Sequence, residues 1–227
     1  MASSAKVIRA ENVGLPHGFL DAGQSDAHAF ALAVGEAAPV FLQQVHSPDA
    51  ITVSAPFAEG ERPRVDGMAT ATPGLALAIV TADCAPILLA DEVAGVIGAA
   101  HAGWRGARGG VIDATVARMV ELGARRDRIA AAIGPCIAQD SYEVGADMRA
   151  HFAAADHAFF EATGPGKWHF DLEGLVAARL SAAGIESICA LEMDTYANPR
   201  RFHSYRRATH RQTSTEGRQV SLIGLPN

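Results

Sequence analysis

The sequence predicts an α/β (α+β) fold: a single-domain layered sandwich of mixed β-sheet and helices that spans residues 1–227. Short apolar runs rich in branched residues are interspersed with helical patterns, and hydrophobic residues make up 49% of the chain. Strands and helices that mix without strict alternation favour a layered arrangement over a barrel. A length of 227 residues is ordinary for one domain of this kind, and we find no internal repeat or convincing linker.

The elements follow from hydrophobic periodicity and from turn-forming residues. Seven short apolar runs predict buried strands, at Val40–Val45, Leu75–Ala82, Ile87–Ala90, Val93–Ala100, Ile129–Ile133, Ile188–Leu191 and Val220–Ile223. Helical periodicity predicts three helices, at Gly110–Leu122, Glu143–Phe152 and Leu172–Ala183. Gly123 and Gly184 follow two of these helices as stop signals. Surface loops are expected at Val53–Arg64 and Gly164–Gly166.

The overall charge argues against two classes of partner. Nineteen basic and 25 acidic residues give a net charge of −6, which disfavours nucleic acid and anionic membrane surfaces as partners. The arginines are nevertheless concentrated near the C-terminus, where a local anion site is plausible on charge alone. They are Arg200, Arg201, Arg206, Arg207, Arg211 and Arg218.

Several observations predict a cytoplasmic protein. The N-terminus lacks a basic stretch followed by an apolar run, which an export signal needs. The longest apolar stretch is broken by Asp83 and Pro86, so it is too interrupted to span a bilayer. Three cysteines, far apart in sequence, fit reduced thiols better than disulfides. We expect a monomer.

Three polar segments each follow an apolar strand, and they carry His46, Cys84 and His101. Strand ends of one sheet converge in space, so these side chains can meet despite their separation in sequence. Two imidazoles and a thiolate suit zinc or copper, and three protein ligands leave a fourth position open. Spacing alone also allows hydrogen-bonded histidines beside turns and a small buried cysteine.

A glycine-rich turn follows His101 and precedes a predicted helix. Backbone N–H groups at such a turn can bind an anion, and Arg105 could add a bidentate contact to phosphate. The same residues also fit a tight strand-to-helix turn in which Trp104 fills a packing gap.

Six blocks of sequence together resemble one known family. They are Gln44-Val45-His46, Val65-Asp66-Gly67, Thr81-Ala82-Asp83-Cys84, His101-Ala102-Gly103-Trp104-Arg105-Gly106, Ile133-Gly134-Pro135-Cys136-Ile137 and Phe202-His203-Ser204-Tyr205-Arg206-Arg207. This order is similar to that of the laccase-domain family, once catalogued as multicopper polyphenol oxidases. The family is now described as zinc-dependent purine nucleoside phosphorylases, and some members are called peptidoglycan editing factors. The resemblance runs from about His17 to Gln219, nearly the whole chain.

The resemblance implies that His46, Cys84 and His101 bind zinc (Zn²⁺). It also implies phosphorolysis of purine nucleosides, namely adenosine, inosine, guanosine and methylthioadenosine, with possible adenosine deaminase activity. The sequence departs from many members at Asp194-Thr195, where those members carry Cys-Thr. Cys189 therefore has no assigned role and is expected in the core.

Other site residues are expected around this group. Asp83 either orients a ligand or a substrate hydroxyl, or it caps backbone amides in a turn, and Asp66 has the same two interpretations. Arg105 is the expected phosphate contact, and the remaining predicted substrate contacts are Gln44, Tyr205, Arg206 and Cys136.

The arginine pair near the C-terminus is expected to divide between two faces. In an extended segment Tyr205 and Arg207 point to one side and Arg206 to the other, so only one arginine reaches the pocket. The sequence does not show which one does.

Three alternatives remain. One is a copper-dependent polyphenol oxidase, which ranks lower because the remaining histidines form no second cluster with motif spacing. The second is an enzyme that edits peptidoglycan precursors, which would also use an arginine-rich anion site. The third is a structural or binding role.

Overall fold

A computed structural model describes residues 7–58 and 60–227 of the chain. The first six residues, part of the N-terminus in which the sequence shows no export signal, and Glu59 of the predicted loop lie outside the described residues. The strands in the described part are β1 (His17–Phe19), β2 (Ala38–Phe41), β3 (Ala50–Thr52), β4 (Gly67–Thr70), β5 (Leu75–Thr81), β6 (Ala85–Asp91), β7 (Val96–Ala102), β8 (Ala130–Ile133), β9 (Glu143–Gly145), β10 (Phe160–Gly164), β11 (Lys167–Phe170), β12 (Ser187–Ala190) and β13 (Gln219–Gly224). The α-helices there are α1 (Ala27–Val34), α2 (Trp104–Gly109), α3 (Val111–Glu121), α4 (Ala146–Arg149), α5 (Leu172–Ala182) and α6 (Tyr205–His210).

Two sheets pack face to face at the centre of the molecule. One has four strands in the order β1-β13-β5-β2, and the other has six in the order β12-β8-β6-β7-β4-β3. Leu77 and Ile79 of the first sheet share a buried cluster with Leu88 and Ile97 of the second. Burial of these branched side chains is worth roughly 1.5–3 kcal/mol each relative to exposure, so this apolar interface holds the sheets together.

Helices cover the outer faces of both sheets. In one cluster Ala33 and Val34 of α1 pack with Leu222 of the four-stranded sheet. In another, Met119 of α3 and Leu175 of α5 pack on the six-stranded sheet. The result is a helix–sheet–sheet–helix sandwich with mixed strand directions, which confirms the predicted α+β class and layered architecture.

Most predicted strands are present, with shifted ends. The predicted Val40–Val45 strand ends at Phe41. Beyond it the Gln44 side chain, rather than its backbone, pairs with β5: Nε2 donates to Val80 O at 2.8 Å, and Oε1 accepts from Val80 N at 2.9 Å. Because the Gln44 side chain takes the place of a strand backbone beside β5, the backbone that follows leaves the sheet and forms the loop that carries His46.

The predicted helix over Glu143–Phe152 is wrong for its first part. Glu143–Gly145 forms β9 and pairs with β11 in a small three-stranded sheet, and only Ala146–Arg149 is α-helical. The local pattern favours a helix, but pairing with a distant strand outweighs it, as tertiary context often does. The predicted Gly164–Gly166 loop is the turn between β10 and β11, with Gly166 at φ +70°.

The described helices have one further property in common. None of them has both the length and the apolar character needed to cross a membrane.

Candidate metal and substrate site

The site begins at a turn where the chain passes from one sheet to the other. Ala82, Asp83 and Cys84 connect β5 of the four-stranded sheet to β6 of the six-stranded sheet. Asp83 has φ +87°, a left-handed conformation that costs a non-glycine residue roughly 1–2 kcal/mol. Its buried carboxylate accepts hydrogen bonds from Thr195 Oγ1 at 2.6 Å and from Arg206 N at 2.7 Å. These bonds fix the turn and attach α6 beside it.

The structure brings His46, Cys84 and His101 together. His46 lies on the loop after β2, Cys84 immediately precedes β6, and His101 lies in β7. One potential ligand atom from each residue lies within 4.8 Å of the other two. Cys84 Sγ is 3.8 Å from His46 Nε2. His46 is exposed, Cys84 half-buried and His101 buried, so the group opens toward solvent on the His46 side.

Asp66 holds two of these three residues in place. Its fully buried carboxylate accepts from His101 Nδ1 at 2.7 Å. It also accepts from the backbone N–H groups of Val45, His46 and Ser47, at 3.0, 2.9 and 2.6 Å. Asp66 therefore caps the turn that carries His46 and also fixes the orientation of the His101 ring. His46 has φ +61° within that turn.

Charges within the group perturb each other strongly. Burial alone raises the pKa of Asp66, but the hydrogen bonds from His101, Ser47 and Val45 lower this pKa to about 2. Burial lowers the pKa of His101, but Asp66 and Cys84 raise it to about 9. Burial raises the pKa of Cys84, but His101 and His46 lower it to about 6. The group therefore stabilises the thiolate, which is the form of cysteine that binds metals.

These donors fit a single transition-metal ion. Nitrogen, nitrogen and thiolate sulfur are ligands of zinc and of copper. Because Asp66 accepts from His101 Nδ1, Nε2 is left for the ion, an orientation common for metal-binding histidines. Gly103 leaves space beside the group, since a Cβ there would lie 2.9 Å from Cys84 Sγ and 2.9 Å from His46 Cδ2. Within residues 7–58 and 60–227, this is the one cluster of at least three such side chains arranged to hold an ion.

A cavity of about 230 Å³ opens on one side of the group, and we call it the aromatic cavity. Its walls include Trp104, Tyr142 and Leu172, together with Arg105 and Arg206. The Arg105 guanidinium lies 4.4 Å from the centre of the Trp104 ring, and that of Arg206 lies 5.2 Å from the Tyr142 ring. This cavity presents flat apolar surfaces edged by cations.

A second cavity of about 330 Å³ opens on the other side, and we call it the Arg218 cavity. Its lining includes Gln44, Thr81, His101 and Arg218. The two cavities share one wall, formed by His46, Ala82, Cys84 and Tyr205. Two substrates bound in the two cavities would therefore flank the metal-binding group.

The segment that carries Tyr205 is helical, so the expectation of an extended segment is wrong. Ser204 caps α6 by accepting from Arg207 N at 3.1 Å. Tyr205 and Arg206 line the aromatic cavity. Arg207 instead donates to the backbone carbonyls of Thr195, Tyr196 and Phe202. Successive residues of a helix differ by about 100° in direction, so Tyr205 and Arg206 can face the same cavity, whereas strand alternation would place them on opposite sides.

One other expectation differs from the structure, and one of the two interpretations of the glycine-rich turn, a strand-to-helix turn with Trp104 as packing, agrees with it. Cys136, a predicted substrate contact, is 3% exposed and belongs to the core cluster beneath helices α3 and α5, not to the lining of either cavity. The glycine-rich turn leads into α2, a helix of only six residues, and its Gly103 packs against ligand side chains. Backbone contacts hold Cys136 in the core: its N–H donates to Met193 O, and its carbonyl oxygen accepts from Thr195 N.

Sequence reasoning assigned no role to three residues that line the cavities. Thr81 lies near the end of the predicted Leu75–Ala82 strand, three residues before Cys84, so its position next to the site could have been inferred. Arg218 stands out only as one of several C-terminal arginines. Tyr142 carries no sequence signal, because a loop and the small sheet bring it to the site.

The fold and the His-Cys-His group agree with one family. The chain matches the family described as "Multi-copper polyphenol oxidoreductase laccase" over residues 23–226, and it belongs to that family. The resemblance recognised from the sequence is thereby confirmed.

Named relatives come from several bacteria. A protein from Deinococcus radiodurans named purine nucleoside phosphorylase is 40% identical over 256 aligned residues, covering 99% of this chain and 95% of the relative. One from Streptomyces coelicolor with the same name is 44% identical and covers 87% of this chain and 79% of the relative. Among solved structures, YlmD from Geobacillus stearothermophilus superposes with a TM-score of 0.83 at 26% identity, over 100% of this chain and 98% of that one.

Proposed function

We propose that this protein is a zinc-dependent purine nucleoside phosphorylase. The observation that carries the proposal is the His46–Cys84–His101 group between two cavities that both contain arginine. A reaction between a nucleoside and phosphate needs two adjacent binding places, one of them suited to an anion. Relatives similar over nearly the whole chain bear the name of this activity, which supports the same assignment.

Zinc is the metal we propose for the group. A zinc ion with an open coordination position polarises a bound oxygen and so stabilises negative charge that develops in a reaction. Copper would fit the same donors. Reduction of dioxygen to water takes four electrons, however, and the described residues offer one metal group rather than several.

The reaction exchanges one bond at the ribose anomeric carbon. An oxygen of phosphate forms a bond to that carbon while the bond to the purine nitrogen breaks and the electron pair leaves with the base. The purine gains one proton, which balances the proton that hydrogen phosphate loses on becoming the ester. The products are ribose-1-phosphate and the free purine. We assign the base to the aromatic cavity, where Trp104, Tyr142 and Tyr205 offer ring surfaces for stacking.

Arginine and aspartate have different tasks in this proposal. Arg105 and Arg206 stabilise polar groups of the substrate at the edge of the aromatic cavity. Both Asp83 oxygens already accept hydrogen bonds from the protein, so Asp83 positions Arg206 and Tyr205 through the start of α6. The cytoplasmic location and the monomeric state stay predictions of the sequence.

Product analysis tests the proposal. The purified protein is incubated with adenosine or inosine, with and without phosphate, and the products are separated by chromatography. We expect free purine and ribose-1-phosphate only when phosphate is present. Inosine formed from adenosine without phosphate would indicate deamination instead, and no product in any tube would contradict an enzymatic role.

Two controls accompany this test. Turnover should be lost in His101→Ala, and turnover that survives there would point to a contaminating enzyme. Mass spectrometry of protein purified without added metal should find zinc in about equimolar amount. Copper in its place would favour the oxidase alternative.

A further inference from the structure

We propose that the Arg218 cavity is the binding site for inorganic phosphate, which leaves the aromatic cavity to the nucleoside. This inference rests on the proposed function and adds to it the location of the second substrate. It also separates the roles of the arginines, because it assigns phosphate to Arg218 rather than to Arg105.

Buried polar atoms without partners mark this cavity as a site for a polar ligand. Thr81 is 1% exposed and lines the cavity, yet its Oγ1 has no hydrogen-bond partner among the described residues. Gln219, which lies next to the lining and not in it, also has a buried Nε2 atom without a partner in that part of the chain. Thr81 and Gln219 are direct partners in the β5–β13 ladder, so their side chains project from the same face of the sheet. An unpaired buried polar group destabilises the fold, and a bound ligand with acceptor atoms would relieve this.

Arg218 supplies positive charge in the same cavity. Its Nη1 donates to the carbonyl oxygens of Thr215 and Gly217, and these bonds orient the guanidinium. Its Nε and Nη2 atoms donate to no group in the described part of the chain, so they are available to a ligand. Arginine presents a fork of N–H donors that matches phosphate oxygens.

The remaining lining does not compete with an anion. The lining of the Arg218 cavity contains no aspartate or glutamate, and the negative charge of its Cys84 thiolate would be neutralised by the zinc ion proposed above. The amide of Gln44 is already bonded to Val80 through both its nitrogen and its oxygen. The cavity therefore offers donors and a cation, which is complementary to a ligand that carries acceptors and negative charge.

The aromatic cavity has a different character. It contains the Asp83 carboxylate, and its two guanidinium groups lie over aromatic rings. Arg206 also donates to Glu143 O at 2.7 Å. His46, Cys84 and Tyr205 line both cavities, so the two cavities adjoin at the metal-binding group. Attack on the anomeric carbon needs phosphate in the Arg218 cavity and the nucleoside in the aromatic cavity to meet there.

Two variants test the assignment. Thr81→Val keeps the shape of the side chain but removes its hydroxyl, and Arg218→Gln removes the charge. For each zinc-loaded variant we would measure KM for phosphate, KM for the nucleoside, and binding of inorganic phosphate alone by calorimetry. We expect KM for phosphate to rise about 10- to 100-fold in Arg218→Gln, the effect of losing a charge-assisted hydrogen bond, with KM for the nucleoside nearly unchanged.

Matched variants control for charge and for folding. Arg211→Gln removes an exposed arginine of the same region that lines neither cavity, and it should leave both KM values unchanged. Thr81→Ser restores the hydroxyl and should restore most of the phosphate affinity lost in Thr81→Val.

The outcomes separate this inference from the proposed function. If phosphate-dependent turnover is intact and neither variant changes KM for phosphate, the inference is wrong and the function stands. A rise in KM for phosphate confined to Arg105→Gln would also overturn it, since phosphate would then lie in the aromatic cavity. If the wild-type protein binds phosphate through Arg218 but shows no phosphorolysis, the cavity assignment is supported and the proposed reaction is wrong.

Discussion

At the scale of single residues, the site depends on Asp66, whose carboxylate holds other residues of the site in position. The sequence suggests His46, Cys84 and His101 as a possible ligand set, because each follows a predicted strand, and the family resemblance strengthens this suggestion. The sequence does not decide the role of Asp66, because an aspartate before glycine is typical of turns in general. The structure shows that one carboxylate contacts His101 Nδ1 and three consecutive backbone N–H groups. That convergence depends on the packing of the His46 loop against β4 and β7, which local patterns do not encode.

Replacing Asp66 should weaken metal binding in protein that is still folded. Asp66→Asn removes the negative charge beside His101 and places an NH₂ group where donors now point, so His101 and the His46 loop lose their orientation. Loss of such a supporting contact typically lowers metal affinity about 10- to 100-fold. Competition with a coloured zinc chelator would measure the change.

Asp49→Asn is the matched control for this change. Asp49 lies on the loop that carries His46, but its side chain is exposed, so its replacement should leave zinc affinity unaltered. Unfolding curves of both variants would show whether they are folded. Unchanged zinc affinity in folded Asp66→Asn would contradict the positioning role.

At the scale of elements, α6 determines which arginine reaches the substrate. Strand alternation predicts that Tyr205 and Arg207 point the same way, whereas the helix places Tyr205 and Arg206 at the aromatic cavity and turns Arg207 to three carbonyl groups. Ser204 is a residue type that commonly begins helices, so the sequence contains a signal for α6. Helix α6 has only six residues, which is too short for a helical hydrophobic periodicity to be recognised.

Removing the cap should destabilise the protein. Ser204→Ala deletes the acceptor for Arg207 N, and the loss of an N-cap of this kind costs about 1 kcal/mol. Chemical denaturation would measure the change in the free energy of unfolding.

Ser181→Ala provides a comparison of opposite sign. Ser181 is exposed within α5, where alanine has the higher helix propensity, so we expect a small gain in stability. Equal effects of the two substitutions would show that the cap contributes nothing beyond intrinsic propensity.

At the scale of the whole molecule, the hydrophobic pattern is sufficient to predict the class but not the arrangement of the sheets. Runs such as Leu75–Ala82 and Val93–Ala100 indicate strands, and their burial in a layered sandwich follows. The hydrophobic pattern does not predict that β5 and β6 belong to different sheets. These strands are consecutive in sequence, and consecutive strands usually pair with each other. Pairing of β13 with β5 links residues far apart in sequence, and no local signal specifies such a partner.

Buried Asp91 should make stability depend on pH. It ends β6 and accepts from Ala94 N, Arg125 N and the Arg128 guanidinium. Burial raises the pKa of Asp91, but these hydrogen bonds lower it below the ordinary value of 3.8. A lowered pKa means that the contribution is present above about pH 4 and is lost as pH falls through the pKa of the folded state.

Asp91→Asn tests this dependence. At pH 7 the variant should be less stable by about 2 kcal/mol, typical of buried donors left without a full partner, and the difference from wild type should shrink below pH 4. Asp127→Asn removes an exposed carboxylate that pairs with Arg125, and it should have little effect because solvent screens that pair. A difference that stays constant down to pH 2 would contradict the charged role of Asp91.

The passage of the chain between the sheets has a structural consequence for the molecule. His46 lies on the loop from β2 of the four-stranded sheet to β3 of the six-stranded sheet, Cys84 lies in the connection from β5 to β6, and His101 belongs to the six-stranded sheet. An ion held by all three would tie these two connections between the layers to the six-stranded sheet, much as a disulfide joins the sheets of other sandwiches. Small sliding movements of one layer over the other would change the ligand spacing directly, so occupancy by metal and the mutual alignment of the layers would control each other.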